Sequence, residues 1–343
     1  MDKAQAAAPQ SLKPQSSKPS SWTPVPRCPL CGSDHIAPFR RQVQGGVAVR
    51  HDRCTACLLV FQNPCPTQDW YDEYFRSHYW EDKARDRGDD VKRHAVQWRS
   101  QLIRAQRYLA CLQAAGLSVP RGGKILEVGC AYGMVIRTMA DALAATPFGA
   151  EPSDNASASA REVAKVDILG RFIHDVPADR GPFDLILFSH VLEYIVDQDA
   201  VFASIRRLLK PGGILLIGTP NIFFRHAAVL EHPYCFSKRS LRQLFARHGI
   251  RPVRIEPTSH LATAFTPDYS LTAAGVLEAP AAAAATAESL LPGAGLAMRL
   301  GAAWFSLANR FPVNRALGFV NPTGTKLNEA SRRRLAELKA RTR

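Results

Sequence analysis

Apolar residues along this chain change their rhythm twice. Between residues 27 and 63 short β-prone runs alternate with turn residues, and Gly45-Gly46 gives a hairpin signal. From 66 to 120 the spacing becomes helical: Trp98, Leu102, Ala105, Leu109 and Leu112 recur along one face, and Gly116 supplies a stop. After that, apolar runs alternate with amphipathic ones. KILEVG precedes a helix near Met134–Ala145, and FGAE precedes one over Ala156–Ala164. A weak strand lies near Ile168–Ile173, and DLILFS leads to a helix near Ala200–Leu209. Pro211-Gly212-Gly213 turns into ILLIGTP, and a helix over Lys238–His248 leads to PVRIEP. Repeated strand–helix units predict an α/β fold, a doubly wound parallel sheet with helices on both faces. Strands as continuously apolar as LILFS and ILLIG need such double cover. The pattern divides the chain into a disordered tail (1–24), a small cysteine-bearing unit (27–63), a helical connector or lid (66–120), the α/β domain (121–260) and an Ala-rich, helical extension (261–343).

Charge changes this picture little. The 343 residues carry a formal net charge of +14, but residues 1–60, 236–256 and 325–343 hold +5 each, so the rest sum to −1. Such basic edges suit a solvated surface, nucleic acid, anionic lipid or a phosphorylated substrate. The tail lacks the apolar centre of a secretory leader, and Ser289–Ala308 is interrupted by Pro292 and Arg299. A soluble, cytoplasmic protein is expected, in a compartment where paired cysteines bind metal rather than form disulfides.

The first strand of the α/β region ends in GCAYG. In an open α/β sheet ligands bind beyond the carboxyl ends of the strands, where small residues admit them to the backbone and the next helix offers its amino end. The spacing is G-x-x-x-G, not the dinucleotide fingerprint G-x-G-x-x-G. The second strand ends at Glu151, 22 residues after Gly129, where a carboxylate can accept both hydroxyls of a ribose. Glu127 adds a second carboxylate beneath the turn, so the site suits a cationic ligand better than a pyrophosphate.

LEVGCAYG, AEPS, FDLILFSHVLEYI and LLKPGGILLIGTPN, in that order and spacing, resemble the motifs of class I S-adenosylmethionine-dependent methyltransferases. The resemblance covers about Lys124 to Glu256 and implies the seven-stranded, Rossmann-like methyltransferase sheet. It implies that Gly129, Cys130, Ala131 and Gly133 line the amino-acid moiety of the cofactor and that Glu127 helps hold its ammonium. Glu151 would take the ribose hydroxyls, Pro152 would flank the adenine and Asp175 would reach the adenine amine. Ser189 and His190 would face the methionine side and the substrate cleft. Ala131 replaces the usual second glycine, which is tolerable where the backbone avoids positive φ.

Two CxxC pairs, Cys28/Cys31 and Cys54/Cys57, stand 22 residues apart. Each supplies two thiolates from one tight turn, and together they complete a closed four-thiolate site; zinc fits best, iron second, and the role is structural. Cys65 and His51 are spare ligands with poorer spacing. RCPLCGS, RCTACLLVFQNPCPT, YDEYF and YW resemble the amino-terminal zinc ribbon of a bacterial subgroup of these methyltransferases, some of which act on nucleotide-linked sugars or metabolite scaffolds. EHPYCFS is similar to the segment of the sugar C-methyltransferases that carries a Glu-His pair implicated in catalysis. That resemblance implies His232 as general base and Glu231 as its partner or a substrate anchor, and imidazole chemistry near neutrality suits the task. Tyr71, Tyr74 and Tyr79 would supply a lid over the cleft or pack in the core. The leading expectation is O- or C-methylation of a small-molecule or saccharide acceptor. RNA methylation, which a ribbon and basic tails would serve, and a cofactor-binding scaffold without catalysis are the alternatives.

Overall fold

In this computed structural model the described residues are 22–44, 47–77, 91–222, 227–258 and 270–279, with positions 329, 332, 333 and 336; for 91–98 only the helical backbone is described. Gly45-Gly46, Tyr79, most of the tail and most of the Ala-rich extension lie outside them.

Two sheets organise the molecule. The first has four strands in the order β1 (Ile36–Gln44), β2 (Val47–Cys54), β3 (Val60–Gln62) and β9 (Tyr234–Cys235), all antiparallel. The second has seven, in the order β10 (Ile250–Thr258), β11 (Ser270–Leu277), β8 (Leu209–Pro220), β7 (Phe183–Ser189), β4 (Lys124–Val128), β5 (Thr146–Ala150) and β6 (Asp167–Gly170). The α-helices described over their full length are α1 (Gln68–Ser77), α2 (Val91–Ala114), α3 (Met134–Leu143), α4 (Asp154–Ser159), α5 (Gln198–Leu208) and α6 (Lys238–Arg247).

Alternation along the central strands divides the core between two faces. Leu126, Ile186, Phe188, Leu215 and Ile217 pack with Phe202 and Ile205 of α5 and with Leu244 and Phe245 of α6. Ile125, Leu185, Leu187, Ile214 and Leu216 pack with Tyr108 and Leu112 of α2 and with Ile136 and Met139 of α3. All seven residues of β7 are buried, as a strand covered on both faces requires.

The doubly wound, seven-stranded sheet predicted from sequence is present, with two corrections. First, it is mixed: β11 runs antiparallel to both β8 and β10. Second, β11 lies beyond the expected domain boundary at 260 and inside the sheet. Its sequence, SLTAAGVL, has small residues where a strand signal would carry branched ones, because space there is short. A Cβ on Gly275 would come within 2.6 Å of Ile250 and 2.8 Å of Phe245. Between β7 and β8 the register steps from Phe183↔Leu209 to Leu185↔Ile214, so the KPGG segment bulges out, with Lys210 Nζ on Asp184 at 2.6 Å. No helix among the described residues is long and apolar enough to cross a membrane.

Two buried histidines give the fold a pH signature. His51 of β2 is fully buried and His248, after α6, stacks on Phe202 at 4.1 Å; burial lowers the pKa of each to about 4. The unfolded chain protonates these groups near 6.5, so it takes up more protons than the folded one between those values. The contribution is complete above pH 6.5 and is lost progressively as the pH falls to about 4. Urea midpoints measured from pH 7.5 down to 4.5 are expected to fall, and His51→Gln is expected to remove its share of the slope, at most about 3 kcal/mol.

Candidate functional site

The turn between β4 and α3 is unusually left-handed: Gly129, Ala131 and Gly133 have φ of 68°, 49° and 73°. Ala131 therefore does not avoid positive φ, contrary to the condition the sequence reading set for it. An L-residue there costs about 1 kcal/mol or more. What holds it is Glu151, 5% exposed: the Ala131 N–H donates to its Oε2 and the Ser153 N–H to its Oε1, both at 2.9 Å. Ser153 in turn caps α4 through its Oγ.

The two glycines serve different needs. A Cβ on Gly129 would lie 2.4 Å from Val191, and one on Gly133 would press on Val166, Ala164 and Ala160 at 3.0–3.3 Å. Cys130 contributes only its backbone to the turn; its thiol is buried near the position a Gly149 Cβ would occupy, and burial pushes its pKa well up. Gly129 and Cys130 both donate their N–H groups to the Ala150 carbonyl, stitching the turn to β5.

Beneath the turn, Glu127 is buried and its Oε2 accepts the Ile136 N–H at 3.1 Å, in the first turn of α3. Burial pushes its carboxyl well above the usual range; Arg104 and the Ile136 amide oppose that, and Glu151 adds to it. Arg104 of α2 reaches Ser189 Oγ at 3.3 Å, and Tyr108, one turn on, reaches it at 3.0 Å. Neither residue was singled out from sequence. The available signal was an Arg and a Tyr four apart beside the apolar stripe of a helix.

His190 follows β7 with φ 59°, its N–H on the Gly218 carbonyl at 2.7 Å. Its Nδ1 stands 3.5 Å from Glu193 Oε1 and its Nε2 3.3 Å from Ser270 Oγ. Burial, then Arg104, lowers its pKa, against Glu193. Glu193 is 1% exposed, and its Oε1 faces His190 Nδ1. Sequence reading missed it too.

His232 is buried on the loop before β9, with its Nδ1 2.6 Å from the Ala227 carbonyl and its ring edge-on to Tyr194 at 4.9 Å. A carbonyl only accepts, so Nδ1 carries the proton and Nε2 is the basic nitrogen. The Glu231 carboxylate accepts from Gln44 Nε2 at 2.8 Å. Two predicted adenine-side residues make local contacts: the Pro152 carbonyl accepts from Arg171, and Asp175 Oδ2 accepts the Phe172 N–H at 2.9 Å. Tyr71 is fully buried, its hydroxyl on Gln62 and the Leu230 carbonyl, so it packs rather than covers.

At the other end, Cys28, Cys31, Cys54 and Cys57 bring their sulfurs within 4.8 Å of one another. Two tight turns achieve this. Gly32 has φ 71° in the first and Leu58 φ 65° in the second, where the Cys57 N–H also points at Cys54 Sγ at 3.5 Å. Four convergent thiols with backbone amides beside them form a donor set that fits a tetrahedral metal ion. Cys65 is not in this group, and His51 is turned elsewhere.

Residues 98–255 match the family described as a methyltransferase domain. The chain is 34% identical over 109 residues to the ubiquinone biosynthesis O-methyltransferase of Chelativorans sp. (strain BNC1), covering 29% of this chain and 41% of that protein. It is 31% identical over 110 residues to the enzyme of the same name from Vibrio atlanticus (strain LGP32), covering 30% and 46%. It thus spans less than half the length of these curated relatives. Among solved structures, magnesium protoporphyrin IX methyltransferase from Synechocystis PCC 6803 aligns with 61% of this chain and 99% of its own, at 18% identity and a TM-score of 0.44.

The turn yields a direct test. Gly129→Ala adds a methyl group where Val191 stands and puts alanine in a left-handed conformation. It is expected to destabilise the protein by at least about 2 kcal/mol in urea unfolding.

Proposed function

We propose that the protein transfers a methyl group from S-adenosylmethionine to an oxygen or carbon of a small-molecule or saccharide acceptor. The observation that carries this reading is the pair of buried carboxylates, Glu127 and Glu151, that bracket a left-handed turn beside Arg104. A cofactor with a sulfonium, an ammonium, a carboxylate and a ribose diol matches that set of charges. Glu127 would face the ammonium, Arg104 the carboxylate and Glu151 the ribose hydroxyls, while the backbone of Gly129, Cys130, Ala131 and Gly133 lines the turn. Pro152 and Asp175 stand on the adenine side, and Ser189 on the methionine side.

When bound, the cofactor supplies an electrophilic methyl group, and the protein's share is alignment and proton removal. His232 is the candidate base because its tautomer leaves Nε2 basic, and Glu231 flanks it. His190, with Glu193 on one side and Ser270 on the other, is the second acceptor-side imidazole. The curated relatives are named as ubiquinone biosynthesis O-methyltransferases, which favours a hydroxyl acceptor on a small molecule. The four cysteines hold a structural zinc ion: four thiolates leave no open position for chemistry.

Two measurements check this reading. Glu151→Ala is expected to weaken S-adenosylmethionine binding at least ~10-fold in calorimetric titration, because it removes the diol acceptor and the support of Ala131; unchanged affinity would remove that assignment. Metal analysis of the purified protein is expected to find about one zinc per chain, with Cys54→Ser losing it; a metal-free, folded protein would contradict the zinc site.

A further inference from the structure

The loop that carries Glu231 and His232 is held largely by the four-cysteine unit. β9, at the end of this loop, is the fourth strand of the ribbon sheet, with Val60↔Cys235 and Phe61↔Tyr234 in register, and the Gln62 N–H extends the pairing to the Pro233 carbonyl at 2.9 Å. Ribbon side chains take up the loop's backbone groups. Gln42 Nε2 donates to the Ala228 carbonyl at 2.8 Å. Gln44 works both ways: its Oε1 accepts the Leu230 N–H at 2.9 Å, and its Nε2 donates to Glu231 Oε2 at 2.8 Å. His51 Nε2 lies 3.1 Å from the His232 carbonyl, which can only accept, so that nitrogen carries the proton. The loop's own bonds include the His232 N–H to the Val229 carbonyl and a shared acceptor, the Ala227 carbonyl, for His232 Nδ1 and Cys235 Sγ.

The two cysteine turns connect to this grip. Cys54–Cys57 forms the turn between β2 and β3, the hairpin that carries His51 and Gln62. The turn containing Cys28 and Cys31 is tied to α6, just beyond the loop, by Arg247 Nη1 on the Pro29 and Leu30 carbonyls at 3.1 and 2.8 Å. The cofactor turn lies elsewhere, held by β5, α3 and Glu151.

We propose that the ribbon is a positioning element for methyl transfer: Gln44 and His51 fix the backbone of residues 227–235 so that His232 presents Nε2 to the acceptor, without touching the cofactor. Gln44 and His51 are therefore positioning residues that act on turnover through the loop. An imidazole held in place by its own main chain loses alignment when that main chain is released, and misplacement by an ångström costs rate rather than cofactor affinity.

This inference rests on the methyl-transfer reading for its kinetic arm and is independent of that reading for its structural arm. The test uses the full chain with His51→Leu, His51→Gln and Gln44→Met. His51→Leu removes the donor to the His232 carbonyl, His51→Gln keeps an N–H at similar reach, and Gln44→Met preserves length without hydrogen bonds. Amide exchange over 227–236 is expected to quicken at least ~10-fold in His51→Leu and Gln44→Met and to return toward the unaltered protein in His51→Gln. Calorimetric affinity for S-adenosylmethionine is expected to stay within about 2-fold in all three, while kcat falls ~10-fold or more in the first two. Unchanged exchange in both His51→Leu and Gln44→Met, or cofactor affinity falling in step with kcat, would overturn the proposal. If the unaltered protein turned over no acceptor, the methyl-transfer reading would fail, and the exchange pattern would still decide whether the ribbon sets the loop. Gln44 is only half-buried, so its variant serves if replacing the buried His51 prevents folding.

Discussion

One buried carboxylate accepts two backbone amides, and the arrangement of the glycine turn follows from it. Glu151 joins the Ala131 amide in the first turn to the Ser153 amide that opens α4. It thereby stabilises a left-handed alanine where the usual residue is glycine and sets two neighbouring crossovers at a fixed separation. The carboxylate lies at the end of β5, next to β4, and the strand order reverses between β4 and β7, where a crevice opens beyond the strand ends. Beneath it, Glu127 uses the unpaired amide of Ile136 in the same way. Both carboxylates are thus held by main-chain amides, the one from the glycine turn and the helix cap after it, the other from the first turn of α3.

Much of this was legible because the residues that form it are contiguous. KILEVGCAYG is a strand and a turn in eleven-residue reach of the helix it feeds, so period and glycine spacing located Glu127 and the turn. The paired cysteines were legible for the same reason, since two short turns announce their convergence. What escaped were residues whose meaning depends on distant partners. Arg104 and Tyr108 read as ordinary helix positions until α2 is laid across the end of β7. Glu193 reads as a surface acid until its neighbours bury it. β11 escaped because close packing against Phe245 and Ile250 demands Ala and Gly, which erases the branched residues by which strands are recognised. Whether Ala131 meets positive φ could not be read from the sequence; the backbone conformation of a single residue is set by its hydrogen bonds, which sequence spacing does not reveal.

The two histidines proposed for the acceptor are held differently: His190 lies between Glu193 and Ser270, and His232 between its own loop and the ribbon. Rigid strands supply the glycine turn, whereas a loop clasped by a second sheet carries His232. A fold that divides the two in this way can vary the clasp while the turn stays as it is.

The strand order also dictates when each sheet can be finished. As the chain leaves the ribosome, the three ribbon strands emerge first, yet their fourth partner comes only at Tyr234–Cys235. The larger sheet waits longer: β11, the last strand among the described residues, inserts between β8 and β10, both of which precede it. Until Leu277 is synthesised and clear of the exit tunnel, β8 carries an open, apolar edge of the kind that invites pairing with other chains. A nascent chain of this protein thus has a vulnerable interval that closes only when its penultimate contacts arrive from the far end, and translation speed through residues 220–277 becomes part of how reliably it folds.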